Sequence, residues 1–225
     1  MKTIADALSK ELTEDLEWRE AELAIMRKQL LLTSPKSLQE RVLLRASLAM
    51  IYAHYEGFCK FALDLYLDYL EKLGLKITQL SWPLSALALQ SFQNELRSGS
   101  LNSKAFFEKL FFEFNDRLHQ EARYGRPPQI ANLWPELLSE WLVKLGLPSK
   151  ETDAGRTSLD SLVQNRNHIA HGKKLSIADP AALDAYAHIA LLAMHEVAVG
   201  MVSSFDTKSY RRTAATSTQL NHSAL

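Results

Sequence analysis

The sequence predicts an all-α protein, a bundle of long antiparallel helices with a helical insertion in the middle. Three observations predict it. Apolar residues recur at helical spacing through most of the 225-residue chain. Gly (8) and Pro (7) are scarce and gather between the periodic blocks, where turns belong. No run alternates apolar and polar residues for long enough to read as a strand.

The first block runs from about Thr3 to Leu32, with Ile4, Leu8, Leu12, Leu16, Leu23, Met26 and Leu30 on one stripe. Interleaved acids such as Glu11, Glu14 and Glu17 mark a solvated face, and Ser34-Pro35 ends the helix. The second block spans about Ser37 to Leu73. There Leu44, Leu48, Ile51, Tyr55, Phe58, Ala62, Leu65 and Tyr69 step by 4,3,4,3,4,3,4, a heptad-like seam. A helix of that length is about 50 Å long, with Gly74 placed to stop it.

Residues 77–150 read as a variable helical insertion, with helices near Leu84–Arg97, Ser103–Ala122 and Pro135–Leu145. Its phenylalanines (Phe106, Phe107, Phe111, Phe112, Phe114) are expected mainly to pack inward, base stacking being the rarer use of such a cluster. A further helix is expected to start at a capping box, Thr157-Ser158-Leu159-Asp160, and to stop at Gly172. The last helix opens on Asp179-Pro180, an N-cap followed by proline. It carries Leu183, Ala187, Ala190, Met194, Val197 and Met201 on a second seam. Residues 1–206 are therefore expected to form a single domain, and 207–225 a polar, disordered tail.

Composition narrows the function. Lys+Arg (26) balances Asp+Glu (26), which argues against coating nucleic acid by charge alone but leaves room for a basic cleft. The one cysteine, Cys59, forms neither an internal disulfide nor a thiolate cluster and is expected to be a small packed residue. No stretch approaches eighteen consecutive uncharged apolar residues, and the first residues carry no apolar leader. A cytoplasmic chain with no membrane partner is the expectation.

The chemistry concentrates in Arg166-Asn167-His168-Ile169-Ala170-His171. Metal-independent RNA cleavage needs three things. The ribose 2′-OH must lose a proton and attack its own phosphate, the departing 5′ oxygen must gain a proton, and phosphate charge must be offset. Histidine suits the proton steps near neutral pH, and arginine offers phosphate a fixed fork of donors. Arg166 and His171 lie about 140° apart around a helix axis. One helix therefore does not aim both at one atom, whereas two copies facing across a dimer axis could.

This segment resembles the Arg-x4–6-His signature of the HEPN superfamily, with Asn167 directly after the arginine. The stretch from Arg45 to Lys60, centred on Tyr55-Glu56-Gly57-Phe58, is similar to the long helix of HEPN proteins of bacterial toxin–antitoxin and defence systems. The resemblance covers roughly Leu38–Glu71 and Leu159–Ser204. It implies a homodimeric endoribonuclease with RNA as substrate, no cofactor and no metal, often held in check by an antitoxin or other regulatory protein. It implies catalytic roles for Arg166, His171, Asn167 and Glu56, and RNA contacts for His168, Lys173 and Lys174. It equally admits a non-catalytic dimerisation or binding module.

Each residue has a plainer use. Basic residues at a helix C-terminus favour the dipole. Glu56 could simply pair with Lys60 on the surface, worth a few tenths of a kcal/mol. His168 and His171 are spaced as a metal pair, although two histidines without an acid make a weak site. Asn167 could be a surface amide, and Lys173 and Lys174 exposed turn lysines. His54, His119, His188 and His195 follow no catalytic pattern and are expected at the core edge or surface.

Overall fold

The computed structural model describes residues 3–98, 101–128, 132–174 and 176–213. Apart from two isolated backbone bridges, Lys76 with Glu121 and Leu80 with Arg211, the described residues hold helices, turns and loops, and no strand. The fold is all-α, as the periodicity predicts.

Three long helices form the frame. Helix α1 (Ile4–Leu31) starts at a capping box between Thr3 and Asp6. Helix α2 (Leu38–Lys72) is capped by Ser37, and α10 (Pro180–Thr207) by Asp179. Each cap side chain accepts from an N–H that has no partner inside the helix. The three helices pack mutually and fuse their apolar stripes into one core. The expected α2 seam is buried except at Leu65, and burial spreads beyond it to Tyr52, Cys59, Leu63, Tyr66 and Leu67. That follows from α2 meeting α1 on one side and α10 and the helix at Arg156–Ala170 on others. By length and hydropathy α10 would pass as a membrane span. Its buried side (Ala190, Ala193, Met194, Val197, Met201) faces the other helices instead.

The middle is built of shorter pieces: α3 (Trp82–Ala88), α4 (Gln90–Arg97), α5 (Ser103–Glu108), a wide turn of helix at Lys109–Glu113, α6 (Phe114–Leu118) and α7 (Pro135–Leu145). The expected helix ending at Arg97 is two helices, and that at Ser103–Ala122 contains the wide turn and stops at Leu118. This region is not appended to the bundle. Leu80, Leu84, Leu133, Leu138 and Leu142 join the common core. The phenylalanine cluster divides. Phe114 stacks on the buried Phe92 at 5.8 Å, but Phe107, Phe111 and Phe112 are exposed, Phe112 at 72%, so packing inward does not hold for those three.

Short helix α8 (Lys150–Ala154) runs directly into α9 (Arg156–Ala170), the motif helix. The expected capping box at Thr157 does not form. The chain enters α9 through Gly155, whose carbonyl already accepts from Ser158 and Leu159. A Cβ at Gly155 would stand 3.2 Å from Ile189, so α8 and α9 approach α10 closely there.

Residues 207–213, expected as the start of the tail, are held against the bundle. After α10 closes on Lys208, with φ of 56°, the backbone turns back along 79–81. Ser81 N–H donates to the Tyr210 carbonyl at 2.8 Å, and Arg212 N–H to that of Gln79 at 3.0 Å. Tyr210 is buried, and the Arg212 guanidinium lies 3.9 Å from the Trp82 ring centroid. The rest of the expected tail, 214–225, lies outside the described residues.

Candidate functional site

Helix α9 rests on α2 and α10 through Leu159, Leu162 and Val163, all fully buried. That contact sets the rotation of the helix and turns Arg166 toward α2. The Nη2 of Arg166 lies 3.3 Å from Glu56 Oε2, and its guanidinium carbon stands 4.1 Å from the Tyr52 ring centroid. Its Nη1 donates to the side-chain oxygens of Asn132 (3.1 Å) and Asn167 (3.0 Å). The Asn132 amide also donates to Asn167 at 3.3 Å. Among the described residues none accepts from Arg166 Nε.

Glu56 is the hub. Besides Arg166 it takes Lys60 at 2.9 Å and the Leu133 backbone N–H at 3.2 Å. Tyr52 supports the same loop, its hydroxyl accepting from Leu133 N–H at 3.1 Å. Burial first, and the Glu56 charge next, push the Tyr52 phenol far above its ordinary value, so it stays protonated. The surface pair expected as the plainer use of Glu56 thus exists, but as one arm of a larger network. With side chains only 26% and 19% exposed, Arg166 and Glu56 are desolvated enough for the pair to outweigh a surface ion pair.

The other end of the motif is open. Helix α9 ends at Ala170, and Gly172 adopts φ of 70° with no atom near its Cβ position. His171 lies in the closing turn and is exposed, as are Lys173 and Lys174; His168 is half-buried. No described residue hydrogen-bonds the His171 side chain. Among the described residues no cluster of three or more His, Cys, Asp or Glu forms, so His168 and His171 gain no third ligand there. Of the residues singled out by sequence, the structure unites Arg166, Asn167 and Glu56. It holds His171, Lys173 and Lys174 apart at the helix end.

Sequence reasoning missed Asn132. It sits in an aperiodic stretch after Pro127-Pro128, in the region read as insertion, and only the fold carries it to α9. The other described histidines fall outside the site. His54 is buried beside Trp18, His195 pairs with Glu20 at 2.7 Å on the surface, and His119 and His188 are exposed.

A buried-side arginine and an exposed histidine five residues on are the residue types that acid–base chemistry on a phosphodiester requires, and two copies of the motif could bring them to one bond. A family model described as HEPN_MAE_28990-like HEPN matches residues 8–210. No curated protein and no solved structure matches the chain.

Proposed function

The chain belongs to the HEPN family, and from that membership and the Arg166 site we propose that it is a metal-independent endoribonuclease acting as a homodimer. The single observation that carries this reading is the placement of the motif. Arg166 is fixed by Glu56, Asn132 and Asn167, while His171 is exposed and unbonded within the described chain.

In the reaction, the His171 imidazole of one protomer removes the 2′-OH proton. The 2′ oxygen then attacks the adjacent phosphorus, and the P–O5′ bond breaks. A protonated imidazole, that of the second motif, returns a proton to the 5′ oxygen. Arg166 offsets charge on the non-bridging oxygens. The products are a 2′,3′-cyclic phosphate and a 5′-hydroxyl, and DNA is inert. Asn167 and Glu56 position Arg166; His168, Lys173 and Lys174 contact RNA. The setting we propose is a toxin or defence effector in the cytoplasm, restrained by a cognate protein.

Purified protein incubated with total RNA in EDTA tests this. The expected result is cleavage to cyclic-phosphate ends by the wild type and none by His171→Ala. Equal cleavage by both sinks the assignment. Growth arrest on expression, relieved by His171→Ala, is the matching cellular result.

A second reading, a non-catalytic dimerisation module, has its own observation. The Glu56 carboxylate already compensates the charge that Arg166 would offer phosphate. Intact RNA from wild type and Glu56→Gln alike, with dimerisation unaffected by Arg166→Ala, favours it.

A further inference from the structure

The face of α2 that carries Tyr52 and Glu56 continues toward the helix N-terminus. Arg45 lies seven residues before Tyr52 and eleven before Glu56, two and three turns away, so the three share a face. Arg41 is one turn further on. There the helix borders a concavity of about 320 Å³, closed on the other side by Lys174, Ser176 and Ile177 from the loop after the motif helix. Its floor is aliphatic (Leu38, Val42, Ile177), its rim is Arg41, Arg45 and Lys174, and no described lining residue is acidic.

These three cations share one concavity without a carboxylate among its described lining residues. Arginines elsewhere, among them Arg19, Arg27, Arg117 and Arg156, lie against carboxylates. Among the described residues the Arg41 guanidinium bonds only the Lys36 carbonyl, and neither Arg45 nor Lys174 has an ion pair. In a chain of zero net charge, unpaired cations gathered on one concavity mark a place where anionic charge is brought from outside. The larger cavity between α1 and α10, about 710 Å³, has the opposite character, with Glu17, Glu20 and Asp206 on its wall.

We infer that the Arg41–Arg45–Lys174 groove binds the phosphate backbone of single-stranded RNA flanking the bond to be cut. This rests on the ribonuclease reading and adds the path of the strand. Lys174 follows His171 by three residues, and Arg45 precedes Glu56 by about 17 Å along α2. A strand seated in the groove therefore runs on toward both halves of the motif. A second copy of the chain is the poorer occupant, because a two-fold contact through this groove sets the same cations against their own copies.

The test is fluorescence anisotropy of a labelled twelve-nucleotide single-stranded RNA, titrated with full-length protein carrying His171→Ala so that the probe stays intact. Adding Arg41→Ala, Arg45→Ala and Lys174→Ala is expected to weaken binding on the order of tenfold at moderate salt. It should also flatten the dependence of log affinity on log salt by about 2, at about 0.7 per phosphate contact. Unchanged affinity and slope, or no binding by the parent, overturns the inference. So does a change in oligomeric state with affinity unchanged. Should the triple variant melt early, the exposed Arg41→Ala alone, expected to cost about threefold, carries the test. Failure of the enzymatic reading is scored separately. RNA bound through the groove but never cut sinks the ribonuclease, whereas cleavage with triple-variant affinity intact sinks only the groove.

Discussion

Arg166 and His171 belong to one motif and one helix, yet their surroundings are opposite. Arg166 is enclosed by Glu56, Tyr52, Asn132 and Asn167, four side chains from three separate parts of the chain. His171 sits past the last helical residue, exposed. One half of the motif is completed by its own fold, and the other is left open to solvent. A residue held by folding affects stability and activity together, and a residue held by nothing affects activity alone.

The largest expected effect is at the open end. His171→Ala should lower RNA cleavage by about 10²–10⁴-fold, the usual worth of a positioned acid or base, with an unchanged melting temperature. A lower melting temperature would mean that His171 is packed, and the contrast would collapse. Arg166→Ala should match that loss within an order of magnitude but also destabilise. It leaves Glu56 partly buried with Lys60 as its remaining cation, a cost of about 1–2 kcal/mol after allowing for partial exposure. Thermal melts of the two variants side by side decide whether the ends differ as described.

Asn132→Ala comes next. It removes one acceptor from Arg166 and one donor to Asn167 but leaves the Glu56 contact. A lost hydrogen bond to a partly buried charged group is worth about 1 kcal/mol, roughly a fivefold fall in cleavage. The fall should appear in kcat rather than KM, because positioning is what is lost. Unchanged kinetics would reduce the Asn132 contact to packing.

How far the sequence could foresee this follows the same division. The long helices were legible because their apolar period and stops agree, and the expected Asp179 cap forms; Thr3 and Ser37, read only as block starts, turn out to cap as side chains too. Arg166, Asn167 and Glu56 were legible as a group through the family resemblance, and their meeting follows from α2 packing on the motif helix. Asn132 was not, because its contact with Arg166 spans 34 positions and nothing periodic surrounds it. The Thr157 capping box was a false signal. A side-chain cap is needed only where backbone N–H groups lack acceptors, and Gly155 supplies one. The tail from Lys208 to Arg212 was misread because composition averages away single residues. Tyr210 is one aromatic among polar neighbours, and it anchors the segment.

The smallest effect extends the contrast to a second histidine. His54 is as enclosed as His171 is open, with 2% of its surface exposed and its ring 5.3 Å from that of Trp18. Burial first, and the neighbouring Arg19 cation second, hold its pKa below the ordinary 6.5. Glu22 pulls the other way from 3.3 Å, but that carboxylate is half exposed and screened by solvent, so burial prevails. The unfolded chain therefore binds a proton near pH 6.5 that the folded chain resists, and the unfolded state carries more protons just below that pH. Stability then falls as pH drops below about 6.5, continuing down to the lowered folded value. Thermal melts from pH 7.5 to 5 should show that fall in the wild type and a flatter profile in His54→Gln. The cleavage profile of the same variant should keep the wild-type shape. If removing His54 reshaped the activity profile and left the melts alone, the buried and open histidines would have exchanged roles, and the division between the two ends of the motif would no longer be one of folding against function.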